Sequence, residues 1–160
     1  MDLFTSLSTY NQIRMAAGVS EAELSDDEIN GAGLQTDLEL EVSEWLPTST
    51  SLQAIYDDGI DVSATNKQKL LMYAMSAYLK NAAAYLLFMT GVLKFGKKIS
   101  DSNNAMERNP WDDDKVLKKL LALMNKYKAK FLELYDQPQD EFDTAIFMGS
   151  STPDFDPVTG

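Results

Sequence analysis

The stretch "LLMYAMSAYLKNAAAYLLFMTGVL", Leu70 to Leu93, constrains the fold of this chain more than any other segment. Met72, Met75, Leu79, Ala82, Leu86, Met89 and Leu93 recur at steps of three and four, which aligns them on one seam of an α-helix. Leu71, Tyr78 and Tyr85 form a row beside that seam. Ala74, Ala77, Ala82, Ala83 and Ala84 leave room for a neighbouring helix to approach closely. A helix apolar over so much of its circumference is expected at the centre of a bundle. Its methionines read as core packing rather than a ligand groove. Ser63 or Thr65 is placed to open it, and Gly91 or Lys98 to close it. Residues 66–93 would extend about 42 Å at the helical rise. The stretch is also long enough to span a bilayer. Lys80 and Asn81 sit at its middle, however, where a lysine costs about 2.5–3.5 kcal/mol, so no membrane span is expected.

Shorter helices are expected around it. Ser8 or Thr9 is placed to cap a first helix that ends at Ala17, with Gly18 in the left-handed position beyond. "VSEAELSDDEIN" offers Ser20 and Ser25 as caps with acids in the following turn, so it reads as one or two short turns. In "GLQTDLELEVSEWLP", Leu34, Leu38, Val42, Trp45 and Leu46 make an apolar stripe, with Pro47 as the stop. "TSTSLQAIYDDG" is a third short helix with Gly59 as its expected terminator. A final long helix is expected from an Asp112 cap to about Tyr135. Leu117, Leu120, Leu121, Met124, Tyr127, Phe131, Leu134 and Tyr135 form its apolar face, Lys115, Lys118, Lys119, Lys126 and Lys130 its polar face, and Pro138 ends it. "KFGKKISDSNNAMERNPWDDD" between the two long helices is rich in turn formers and reads as irregular. No strong strand run is present; "TAIFMG" would serve as an edge strand at best. The expected class is all-α: a helical domain over residues 1–136 with one long central helix, and an extended arm over 137–160.

Composition narrows the chemistry. The chain has neither Cys nor His. That removes disulfides, thiolate nucleophiles, the usual zinc ligands and the histidine-based dyads, leaving only carboxylate or lysine catalysis. No catalytic constellation is visible, and no enzyme activity, cofactor or metal site is expected. The net charge is -11, which argues against binding nucleic acid over the whole surface. The charge is also blocked: residues 1–62 carry a net of -12 with Arg14 as the sole base, residues 63–135 a net of +7, and residues 136–160 a net of -6. Such blocks attract one another within or between chains, or simply form solvated faces. The first residues, "MDLFTSLSTYNQIRMAAG", lack the basic and apolar regions of a signal peptide.

Three local patterns invite a site. Asp112, Asp113 and Asp114 are three carboxylates in a row. Consecutive helical residues diverge by about 100°, and the spacing does not fit a calcium loop, so they read as helix-capping acids. Gly31 and Gly33 lack the preceding strand and the third glycine of a phosphate-binding loop. Lys97, Lys98 and Arg108 bracket the irregular loop with Asp101 and Asn103 inside it. They suit phosphates, an acidic partner or, by default, a solvated loop better than base-specific binding.

"FDTAIFMGSSTPDFDPVTG", Phe142 to Gly160, poses a different question. It shows no helical period, yet carries Phe142, Ile146, Phe147, Met148 and Phe155, with Pro153 and Pro157 stiffening it. A segment that does not fold on itself can still bury such residues on a neighbour. About 23 residues reach at most about 75–80 Å when extended. Ordering costs about 1–2 kcal/mol per residue, and each buried aromatic returns about 1.5–3 kcal/mol. One arm is therefore marginal, and several arms in one assembly reinforce each other.

Taken in order, "IRMAAGVSEAEL", "ELEVSEWLP", the long Ala/Tyr-rich helix, the polar loop "KKISDSNNAMERNP" and the Lys-rich "LLALMNKYKAKFLELY" resemble the head-to-tail connector (adaptor) proteins of tailed bacteriophages. The similarity covers roughly residues 8–136 and lies in segment order and local character. It implies a helical bundle in the virion neck that forms a ring beneath the portal, typically of about twelve copies. The ring would extend the DNA channel without sequence-specific binding and present a lower surface to a tail, nozzle or neck protein. It also implies a C-terminal arm projecting into the portal, here the segment after Tyr135. Phe142, Ile146, Phe147, Met148, Pro153, Phe155 and Pro157 are then the portal-binding candidates. Lys97, Lys98, Asp101, Asn103 and Arg108 are candidates for a tail-facing loop. That loop often carries a Gly where Ser102 follows Asp101 here. The competing reading is a small helical scaffold or regulatory module that binds one partner through its tail.

Overall fold

The computed structural model describes residues 2–4, 6–31, 33–91, 93, 99–101, 104–106 and 113–137. Helix α1 spans Tyr10–Ala17, α2 Asp26–Gly31, α3 Leu34–Ser43, α4 Leu52–Ile60, α5 Asn66–Met89 and α6 Asp113–Asp136. Between α5 and α6, β1 (Ile99–Asp101) pairs antiparallel with β2 (Asn104–Met106), Ile99 opposite Met106 and Asp101 opposite Asn104. The chain is thus mainly helical with one long central helix, as expected. The stretch read as wholly irregular contains a two-stranded ladder. Three-residue strands are too short for their alternation to stand out in sequence.

The helix starts follow local chemistry. At α1, Thr9 and not Ser8 is the cap: its Oγ1 accepts the Gln12 N–H while the Gln12 side chain accepts the Thr9 N–H. Ser8 is buried, its N–H donating to the Leu3 carbonyl at 2.9 Å. Gly18 ends α1 with φ 73, a conformation that costs glycine nothing. Ser20 with Glu23 and Ser25 with Glu28 repeat one arrangement, the carboxylate accepting both the N–H and the O–H of the serine. The Ser25 backbone and hydroxyl hold the Glu28 carboxyl below its usual pKa. Thr65 opens α5 with a second reciprocal pair to Gln68. Asp112, the expected cap of α6, lies outside the described residues.

Two helix ends differ from expectation. Helix α3 stops at Ser43, and Trp45 and Leu46 lie in the turn that follows it, ahead of Pro47. Gly59 does not terminate α4. It sits inside the helix, buried, with α4 continuing to Ile60. A Cβ added there would stand 2.5 Å from Met72 Cβ. The glycine lets α4 lie against α5 at a distance no side chain permits.

Helix α5 packs against α1, α3 and α4 and against α6. Its buried residues are Ala74, Met75, Tyr78, Leu79, Asn81, Ala82, Ala83, Ala84 and Leu87. The expected seam is right for Met75, Leu79 and Ala82, half-buried at Met72 and Leu86, and wrong for Met89, which is 59% exposed in the last turn. Tyr78 belongs to the core rather than to a flanking row. The difference arises because α5 is covered on two sides, so burial extends beyond a single stripe. Among the described residues, α6 is covered on one side only. Leu120, Met124, Phe131 and Leu134 are buried, whereas Leu121 is 43% exposed and falls outside the face assigned to it. Asn81 is tolerated in the centre because its Nδ2 donates to the Ala77 carbonyl at 2.6 Å. Among the described residues, no helix is long and apolar enough to cross a membrane.

Two consequences are measurable. Gly59→Ala should destabilise the fold by about 1–3 kcal/mol, read as a lower urea midpoint with an unchanged slope. The Tyr78 pKa is raised by burial first and by the adjacent Glu41 carboxylate next. The unfolded chain therefore loses this proton first, as pH passes about 10. The contribution is complete below that pH and is lost above it. Unfolding free energy measured from about pH 9 to about pH 11 should fall less steeply in Tyr78→Phe than in the wild type.

Candidate functional site

The expected binding residues Phe142, Ile146, Phe147, Met148, Pro153, Phe155 and Pro157 lie outside the described residues, as do Lys97, Lys98, Asn103 and Arg108. Asp101 ends β1, its backbone opposite Asn104. How these side chains are arranged lies outside the described residues. What the structure does define is the place where the chain leaves the bundle toward residue 138.

Helix α6 ends at Asp136, two residues before Pro138. The last carbonyls of a helix have no partners within it. Lys67, in the first turn of α5, supplies one: its Nζ donates to the Tyr135 carbonyl at 3.1 Å and also to the Gln137 carbonyl. A cation there also complements the negative end of the helix dipole. The Tyr135 hydroxyl meets Ser49 Oγ at 2.6 Å. The exit is thus tied both to the start of α5 and to the link between α3 and α4.

An aromatic chain continues this anchorage into the core. Tyr135 stacks on Phe131, with centroids 6.1 Å apart and planes 22° apart. Phe131 meets Trp45 edge-on at 5.8 Å, and Trp45 meets Tyr78 edge-on at 5.0 Å. Tyr78 donates to Glu41 Oε1 at 2.6 Å. Lys128 lies over the Trp45 ring, 5.1 Å from its centroid. Trp45 therefore links α3, α5 and α6, which accounts for an indole in a turn directly after a helix.

Two recesses flank this corner. One, of about 90 Å³, is lined by Thr50, Ile55, Asp58, Gln68, Leu71 and Tyr135. The other, about 280 Å³, is a shallow depression where α3 gives way to α4, with Val42, Leu46, Pro47 and Leu52 in its wall. Among the described residues, no group of three or more Asp or Glu side chains is placed to hold a metal ion.

At the opposite end of the sequence, Arg14 performs a comparable anchoring task. It is 5% exposed. Its Nε donates to the Leu24 carbonyl at 2.7 Å, one terminal nitrogen donates to Asn11 Oδ1 at 3.0 Å, and the other pairs with Asp26. One guanidinium thereby fastens α1 to the turn and helix that follow. The signal for it was present in the sequence as the only base among 13 acids in residues 1–62. Lys67 gave no such signal, because its partners lie 68 and 70 residues away.

No family model, curated protein or solved structure matches this chain.

Lys67→Met should free the final turn of α6 while leaving the core intact. Hydrogen exchange at residues 131–137 should speed up markedly, with global stability lowered by only about 1–2 kcal/mol.

Proposed function

We propose that the protein is a structural component of a phage neck: an adaptor that forms a ring beneath the portal, docks to it through residues 138–160 and extends the DNA channel toward the tail. The observation that carries this reading is the anchored exit. The helical body ends at Asp136 with its terminal carbonyls met by Lys67, and the segment beyond still carries Phe142, Ile146, Phe147, Met148 and Phe155. An apolar, proline-bearing segment attached to a firmly held point suits insertion into a crevice of a neighbour. The order of segments over residues 8–136, like that of connector proteins, names the neighbour.

The parts divide the work. The bundle provides a rigid wedge centred on α5. The segment from Pro138 onward provides the portal contact, with Phe142, Phe147 and Phe155 as anchors and Pro153 and Pro157 limiting the entropy lost on ordering. The stretch containing Lys97, Lys98, Asp101, Asn103 and Arg108 faces the next neck or tail component. A net charge of -11 keeps DNA from adhering as it passes.

Mass photometry of the protein mixed with its portal should show about twelve copies per portal ring. Deleting residues 138–160 should leave a helical protein whose portal affinity falls ~tenfold or more. Unchanged affinity in the deletion would reject the docking role of the segment. One or two copies per portal would reject the ring.

A further inference from the structure

Among the described residues, helix α5 is covered over much of its surface but not all. Its open face runs through Lys69, Leu70, Tyr73, Ser76, Ala77 and Lys80. Leu70 is 42% exposed and Tyr73 60% exposed, and the other four are half-buried. Helix α5 contains three lysines and no acid. The face is therefore apolar along its middle and positive toward both ends.

We propose that this face is the resting site of the chain's own residues 138–160. The inference rests on the reading of that segment as a binding element, and it adds where the segment lies while no partner is present. Three observations select this occupant. The first is position. Lys67 holds the Gln137 carbonyl at the beginning of α5, so the described chain ends beside the helix that carries the open face. The second is length. From Lys67, Tyr73 lies about 9 Å and Lys80 about 20 Å along the axis. Five or six extended residues cover about 17–20 Å, so Phe142 reaches the level of Tyr73 and Phe147 reaches beyond Lys80. The third is charge. Residues 136–160 contain six acids and no base, complementary to Lys69 and Lys80.

The other exposed apolar pair near the exit is less suited to this occupant. Ile60 and Val62 are 54% and 100% exposed, but they stand among Asp57, Asp58 and Asp61, which repel an acidic segment. The Asp61 carboxyl is further held below its usual pKa by the Ser63 hydroxyl and N–H. Helix α5 offers the same kind of apolar surface with the opposite charge.

The contact is intramolecular, so a weak interface suffices: tethering supplies an effective concentration on the order of millimolar. It also remains easy to displace. A partner that takes Phe142 and Phe147 into deeper pockets wins the segment, and the α5 face is then uncovered.

The test uses the full chain with Phe147 replaced by a photo-reactive benzoyl-phenylalanine. After irradiation of the free protein, trypsin releases the α5 face as the peptide Leu70–Lys80. Cross-links should fall within that peptide and within a single copy, as judged by mixing isotopically light and heavy protein. Tyr73→Glu should reduce their yield by about tenfold with the helical circular dichroism unchanged. Cross-links mapping elsewhere, joining light to heavy copies, absent altogether, or indifferent to Tyr73→Glu would each overturn the proposal. No portal is present in the experiment. Failure to rest on α5 is thereby separated from failure to bind a portal, which the deletion of residues 138–160 reports.

Discussion

Ala82, Ala83 and Ala84 are fully buried in the middle of α5, and the architecture turns on the close approach they permit. Three consecutive residues on a helix point in three directions about 100° apart. All three can be buried only if the helix is covered over most of its girth. Helices α1, α3, α4 and α6 all pack against α5 and between them provide that cover. Gly59 extends the same logic to α4, where the space a Cβ would need is occupied by Met72. Small residues on the central helix and at its contacts, more than any polar bond, set how tightly the bundle closes.

Polar anchors then set the directions in which the chain enters and leaves. Arg14 gathers Asn11, Leu24 and Asp26 around one guanidinium and fixes the acidic front. Lys67 gathers the last carbonyls of α6 and fixes the exit. Trp45, Tyr78, Phe131 and Tyr135 connect that exit to the core through a run of ring contacts. A segment attached at such a point is joined to the whole bundle rather than to one helix end. The same anchorage holds Gln137 at the first turn of α5, the helix whose exposed face combines apolar side chains with lysines.

Much of this was legible beforehand. The period of three and four at Met75, Leu79 and Ala82 identified the central helix, and Thr9, Ser25 and Thr65 are hydroxyl caps of the kind that open helices. Where reading from sequence failed, a distant neighbour was responsible. Gly59 has the form of a terminator, and only the position of Met72 shows it to be a packing glycine. Met89 and Leu121 continue apolar stripes, yet lie where the described neighbours do not cover them. Of the candidate site, composition exposed the surplus of aromatic residues after Pro138, while the corner that holds the exit was invisible.

The sequence by itself determined which segments are helical, which of them is central, and where the charge lies, because periodicity, capping and composition are properties of neighbours along the chain. Only the tertiary structure decided which face of α5 stays open, that Tyr78 is core, and that Lys67 closes α6. Each of these depends on residues tens of positions apart meeting in space, and no local pattern encodes that meeting.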